Sequence, residues 1–215
     1  MKHLSSLTAL PQRWSVTLVV LVAVSLGPGL VQAQTRWLQN VELITPVREQ
    51  LVTGALLDTL ADVILRYDVI LKRSPEDADT LSYNALESEL WTKGLDFTSA
   101  THLFVGYRLE ANQRRFSAVI THLYFIYRPP EIIGIDEPIF YLDATQSIIQ
   151  HVLNNSGTAS RFNEAAIIPF REQLTFHKLP ESLLVSISGR AIRDSTEAVS
   201  EKNRLLATIR RFVFN

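Results

Sequence analysis

Apolar residues in the first part of the chain recur at three- and four-residue steps, the period of an amphipathic helix. Thr45 followed by Pro46 is typical of a helix N-terminus, so we expect this helix to occupy up to residues 46–73. The preceding segment, residues 35–44, is predicted to be a strand. The predicted inner stripe consists of Val52, Leu56, Leu60, Val63, Ile64, Tyr67 and Leu71.

A second, shorter helix is predicted after the acidic connector at residues 74–79. It continues through "LSYNALESELWTK" to a glycine stop at Gly94. Its buried side is expected to hold Leu86, Leu90 and Trp91.

The segment 101–128 changes to the pattern of paired strands. It contains two similar octapeptides, "THLFVGYR" at 101–108 and "THLYFIYR" at 121–128. Both are rich in β-branched and aromatic residues, which favour strands, and we predict a hairpin that ends before Pro129.

The last third of the chain predicts a strand, a helix, an ambiguous stretch, a strand and a helix. "IFYLD" at 139–143 is a short strand leading into a helix, and residues 161–176 have no clear pattern. The strand in "SLLVSISGRAIR" contains a bulge or turn at Gly189. Asp194, three residues before Glu197, predicts the start of a final helix, with Val199, Leu206, Ile209 and Val213 on one side.

Strands and helices are therefore grouped without the regular alternation that a parallel sheet requires. We predict an α+β fold with a mainly antiparallel sheet, covered by an N-terminal helix pair and a C-terminal helix. Residues 34–215 are expected to form a single domain.

Residues 1–33 are expected to be a cleaved signal peptide. Lys2 and Arg13 precede a twelve-residue apolar run, and Val31-Gln32-Ala33 supplies the small residues that signal peptidase accepts. Twelve apolar residues are short of the roughly 20 that span a bilayer. The predicted location is therefore the bacterial periplasm or the extracellular space, with no transmembrane segment after cleavage.

Composition excludes several chemistries. The 215-residue chain has no cysteine, which rules out disulfides, thiolate metal sites and a cysteine nucleophile. The net charge is −1, and no dense basic stripe indicates a nucleic-acid partner. The sequence contains none of the common nucleotide, metalloprotease or serine-hydrolase motifs, and no cofactor is expected.

Two histidines, His102 and His122, stand at equal positions in the octapeptides and are weak metal candidates. A two-residue turn at 112–113 would place them on opposite faces of the sheet. A three-residue turn at 112–114 would pair His102 with Tyr124 and leave the histidines on one face, about 7–8 Å apart. Because the sequence shows no third ligand, no metal site is predicted.

Weak catalytic candidates lie further along the chain. Asp136 and Glu137 belong to a proline-bounded loop, and His151 follows on a predicted helix. The alternative to a binding protein is therefore a small cofactor-free hydrolase or lyase that uses His151 with Asp136 or Glu137.

Binding candidates come from apolar residues. Ile132, Ile133 and Ile135 lie in the loop "EIIGIDEP" framed by prolines, and Tyr107 and Tyr124 belong to the hairpin. We therefore predict an exported, soluble, non-catalytic protein that binds an envelope protein partner or a small apolar ligand.

Overall fold

The computed structural model describes residues 37–112, 115–130, 135–160 and 166–214. The predicted signal peptide lies outside these residues. The described strands are β1 Trp37–Pro46, β2 His102–Asn112, β3 Arg115–Tyr127, β4 Glu137–Asp143, β5 Gly157–Ala159, β6 Ile167–Pro169, β7 Leu183–Ile187 and β8 Arg190–Ala191. The described helices are α1 Val52–Arg66, α2 Tyr83–Thr92, α3 Ser147–Asn155, α4 Phe170–Gln173 and α5 Ser195–Phe214.

Six of the strands form one antiparallel sheet in the order β4-β3-β2-β1-β7-β8. Successive side chains of a strand point to opposite faces, so the sheet has a core face and an open face. On β2 the core face carries Leu103, Val105, Tyr107 and Leu109, all buried. These side chains belong to one hydrophobic cluster with the inner residues of the helices. The predicted α+β fold is confirmed.

The predicted start of the first helix is wrong. β1 continues through Thr45 and Pro46, and α1 begins only at Val52. Thr45 is buried on the core face, where its hydroxyl donates to the Pro180 carbonyl at 2.7 Å. The helix also ends early, at Arg66, and Leu71 forms an isolated β-bridge with Leu81. The helix is therefore shorter than predicted at both ends, because the flanking residues pair with a strand or form a β-bridge instead.

The second helix follows its sequence pattern closely. The Ser82 hydroxyl accepts a hydrogen bond from Ala85 N, and the chain turns at Gly94 with a positive φ of 71°. Leu86 and Leu90 are buried as predicted. The prediction for Trp91 is wrong, because its side chain is 70% exposed.

The hairpin is confirmed, but neither predicted register is right. Phe104 pairs with Tyr124 and Gly106 with His122, after which the register shifts so that Tyr107 pairs with Ile120. The shift leaves Thr121 as an extra residue on β3, a β-bulge. This bulge could not be predicted from the sequence, because one extra residue in a strand ladder has no side-chain signature.

The C-terminal segment forms a hairpin and a helix. Ser188 and Gly189 both have positive φ, 47° and 81°, and join β7 to β8 in a tight turn. Asp194 Oδ1 accepts from Glu197 N at 2.8 Å, as the sequence predicts for the start of α5. The prediction for Val199 is wrong, because its side chain is 51% exposed, whereas Ala198 and Leu205 are buried.

Among the described residues, no helix is both long enough and apolar enough to cross a membrane. The helix α5 is the longest, and its contacts are with β7, β3 and β2. The core face of the sheet is thus covered by helices.

Candidate functional site

The open face carries two neighbouring rows of residues that cross five strands. The apolar row is Tyr141, Tyr124, Phe104, Ile44 and Leu183, on β4, β3, β2, β1 and β7 in that order. The polar row, two residues along each of the first four strands, is Asp143, His122, Gly106, Glu42 and Ser186. With strands about 4.8 Å apart, each row is about 19 Å long.

The apolar row contains three neighbouring aromatic rings, and Ile44 beside them is buried. The ring centroids of Phe104 and Tyr124 are 5.7 Å apart, and those of Tyr124 and Tyr141 are 6.3 Å apart. Phe104, Tyr124 and Tyr141 are only partly buried, and Leu183 at the other end is 45% exposed. Large apolar side chains thus remain accessible although a packed core exists on the opposite face.

The polar row is organised around one histidine. His122 Nε2 lies 2.9 Å from Glu42 Oε1, although the two residues belong to strands on either side of β2. The residue between them is Gly106, where an added Cβ would overlap the His122 ring. The glycine therefore makes room for the imidazole to lie across β2 and reach Glu42.

The β-bulge also shapes this histidine site. Thr121 is the extra residue of the bulge, and its Oγ1 lies 3.2 Å from His122 Nδ1. A neutral ring that donates from Nε2 to the carboxylate accepts at Nδ1 from this hydroxyl. The ring also stacks on Tyr141, with centroids 5.5 Å apart, and so joins the polar row to the apolar row.

A cavity of about 410 Å³ opens beside the polar row. This volume lies within the usual range of small-molecule sites. Polar groups from four strands and the β7–β8 turn surround it: Asn40, Glu42, Arg108, Thr121, His122, Ser186 and Gly189. Arg108 is exposed and has no ion pair or hydrogen bond among the described residues that involves its side chain.

Burial and charge affect the tyrosines of the apolar row. Burial, followed by the nearby carboxylates Glu76 and Asp136, raises the pKa of Tyr124 to about 12. Burial first and Asp143 second raise the pKa of Tyr141. Both phenols therefore stay protonated at neutral pH and remain hydrogen-bond donors beside an apolar surface.

The two metal candidates lie on the same face but far apart. His102 pairs with Ile126, whereas His122 pairs with Gly106, four residues along β2. That offset corresponds to about 13 Å, too far for a shared ion. Among the described residues, no group of three or more histidine, aspartate or glutamate side chains is arranged to hold a metal.

The catalytic candidates have separate partners. Arg128 holds Asp136 through two hydrogen bonds of 2.7 and 2.8 Å, and this guanidinium keeps the pKa of Asp136 below its ordinary value. Lys93 Nζ donates to Glu137 at 2.6 Å. His151 is exposed on α3, where its hydrogen-bond partner is Asn155. In the part of the chain that the structure describes, no hydrogen bond joins His151 to either carboxylate.

The binding candidates divide between the two faces. Tyr124 belongs to the apolar row, but Tyr107 is on the core face, where its hydroxyl donates to the Leu174 carbonyl at 2.7 Å. Tyr107 is also among the residues that line the cavity beside the polar row, whereas Tyr124 is not. Ile135 is 48% exposed, while Ile132 and Ile133 lie outside the described residues.

Most residues of the site are not predicted by the sequence. Glu42, Gly106, Arg108 and Ser186 carried no motif, and they come from strands up to 144 positions apart in the chain. One usable signal was Gly106 inside a strand pattern, which often marks a close approach of another group. The group that approaches is the His122 ring.

Comparison with known proteins gave no assignment. No family model matches this chain, and no curated protein matches it.

Proposed function

We propose that this protein is an exported, non-catalytic binding protein whose open sheet face takes a small ligand with an apolar body. The observation that supports this proposal is the apolar row, in which three aromatic side chains are partly exposed and Leu183 is 45% exposed, next to a polar cavity. Aromatic side chains that stay partly exposed offer a large apolar contact area to a ligand, and a few polar groups nearby can orient it.

Export is proposed from the N-terminal pattern of a basic segment, an apolar run and Val31-Gln32-Ala33. The test is to recover the full-length gene product from the envelope and the culture medium and determine its N-terminus. A start at Gln34 supports the proposal. A protein that keeps Met1 and stays in the cytoplasm contradicts it.

The binding test uses an environment-sensitive apolar dye, such as 1-aminoanthracene, titrated into the purified protein. We expect saturable binding that weakens about tenfold or more in Phe104→Ala, because this ring lies in the middle of the apolar row. Val119→Ala is the matched control, since Val119 pairs with Arg108 on the open face but outside the row. Equal binding by both variants would place the dye elsewhere.

An envelope protein partner is the other occupant that the sequence allows. Crosslinking from a photoreactive residue placed at Leu183, which is exposed at the end of the row, distinguishes the two. A reproducible crosslink to one protein, lost in Phe104→Ala, would replace the small ligand with a protein. The absence of such a crosslink together with saturable dye binding favours the small ligand.

A further inference from the structure

We infer that the ligand of the open face is an amphipathic carboxylate, with its carboxylate at Arg108 and its apolar chain along β2 to the apolar row. This inference rests on the proposed binding function and names the chemical class of the ligand. It depends on the charge and the position of one arginine.

Arg108 is a cation that lines the cavity, and its side chain has no partner among the described residues. Of the other ionisable residues that line the cavity, Glu42 and His122 engage each other at 2.9 Å, and the Tyr107 hydroxyl donates to the Leu174 carbonyl. Glu110, two residues further along β2, already has an interaction of its own, and Arg108 takes no part in one. A ligand anion is therefore the group that supplies the missing partner to this guanidinium.

The surroundings of Arg108 suit a carboxylate. Asn40 is its direct neighbour on β1, and Ser186 lines the same cavity. An amide N–H and a hydroxyl add donors beside the guanidinium, whose paired N–H groups match the two oxygens of a carboxylate. The remaining charged residue, Glu42, is directed to His122 rather than to this end of the cavity.

The geometry also sets a minimum length for the apolar chain. Phe104, Gly106 and Arg108 follow one another on the open face of β2, and Arg108 and Phe104 are four residues apart. A chain must therefore extend about 13 Å from the carboxylate to reach the Phe104 ring. This path crosses Gly106, where the His122 ring lies across β2 towards Glu42, so the apolar chain has to pass over the face of that ring.

The test titrates the purified protein with dodecanoate, dodecanol and dodecylammonium, each below its aggregation concentration, by calorimetry or dye displacement. We expect dodecanoate to bind most tightly and butanoate at least about tenfold more weakly, because its chain stops short of the row. Arg108→Gln is expected to weaken dodecanoate about tenfold while leaving dodecanol unchanged. Arg210→Gln, an exposed arginine on α5, is the control and should change neither.

The outcomes separate this inference from the proposed function. Equal binding of dodecanoate and dodecanol, tighter binding of dodecylammonium, or no effect of Arg108→Gln would overturn the carboxylate and leave apolar binding intact. No binding of any probe, with no dye binding either, would overturn both. Because Arg108 is exposed, circular dichroism of Arg108→Gln should match that of the unchanged protein.

Discussion

The two faces of one sheet use similar residues for different purposes. On the core face, Phe125 stacks on Phe140 with ring centroids 4.6 Å apart, and both rings are fully buried. One residue away on the open face, Tyr124 stacks on Phe104 but both rings stay partly exposed. Aromatic character alone therefore does not distinguish a core residue from a site residue. What distinguishes them is whether helices cover that face.

The largest expected effect comes from truncating matched rings on the two faces. Phe125→Ala should lower the free energy of unfolding by about 3–5 kcal/mol, because it leaves a cavity in a packed core. Phe104→Ala should cost no more than about 1.5 kcal/mol, the range of one aromatic pair, yet abolish most ligand binding. Urea unfolding of both variants checks the difference. Similar losses of stability would show that the open face is part of the core.

A second variant tests the glycine that separates Glu42 from His122. Gly106→Ala places a methyl group where the imidazole lies, and we expect a loss of about 1–3 kcal/mol from the forced rearrangement. The double variant Gly106→Ala with His122→Ala should recover part of that loss, because the ring is gone. Urea unfolding of the unchanged protein, the two single variants and the double variant gives the coupling free energy between Gly106 and His122. Purely additive effects would mean that the glycine has another role.

Two further variants compare how much the hydroxyl groups of the two hairpin tyrosines, Tyr107 and Tyr124, contribute to stability. Tyr107→Phe removes the donor to the buried Leu174 carbonyl and should cost about 1–3 kcal/mol at neutral pH. Tyr124→Phe should cost less, because its hydroxyl has no hydrogen-bond partner among the described residues. Thermal unfolding at pH 7 measures both.

The same two tyrosines predict how the stability of the fold changes at alkaline pH. Burial raises the pKa of Tyr107 above its ordinary value, and the pKa of Tyr124 is about 12. Because the folded protein holds these protons more tightly than the unfolded chain, stability is full below pH 10 and falls as the pH rises further. Each Tyr→Phe variant should therefore lose stability less steeply above pH 10. An unchanged slope in both would contradict the effect of burial.

The smallest effect concerns His102, which lies on the open face near Arg128. Burial first and Arg128 second lower the pKa of His102. The folded protein thus favours the neutral ring, so the stability that it contributes is present above about pH 6.5 and lost as the pH falls below that value. The melting temperature of His102→Gln should change less than that of the unchanged protein between pH 7 and pH 5. His151→Gln, at an exposed site, should follow the unchanged protein.

Local signals predicted several elements correctly. Asp194 caps its helix as predicted, and Gly94 and Gly189 adopt the positive φ that their turns require. These features depend on a residue and its immediate neighbours. The start of α1 was missed because Thr45 and Pro46 pair with β2 as the end of a strand, which is a long-range contact.

The sequence by itself determined the alternation of side chains on β2, the helix cap at Asp194 and the tight turns at Gly94 and Gly189, since each follows from backbone chemistry over a few residues. Only the tertiary structure decided the hairpin register, the bulge at Thr121 and the meeting of Glu42 with His122. Adjacent registers offer the backbone nearly the same hydrogen bonds, so the choice falls to packing against helices far along the chain. The same packing leaves most of the apolar row uncovered on the open face, where the ligand is proposed to bind.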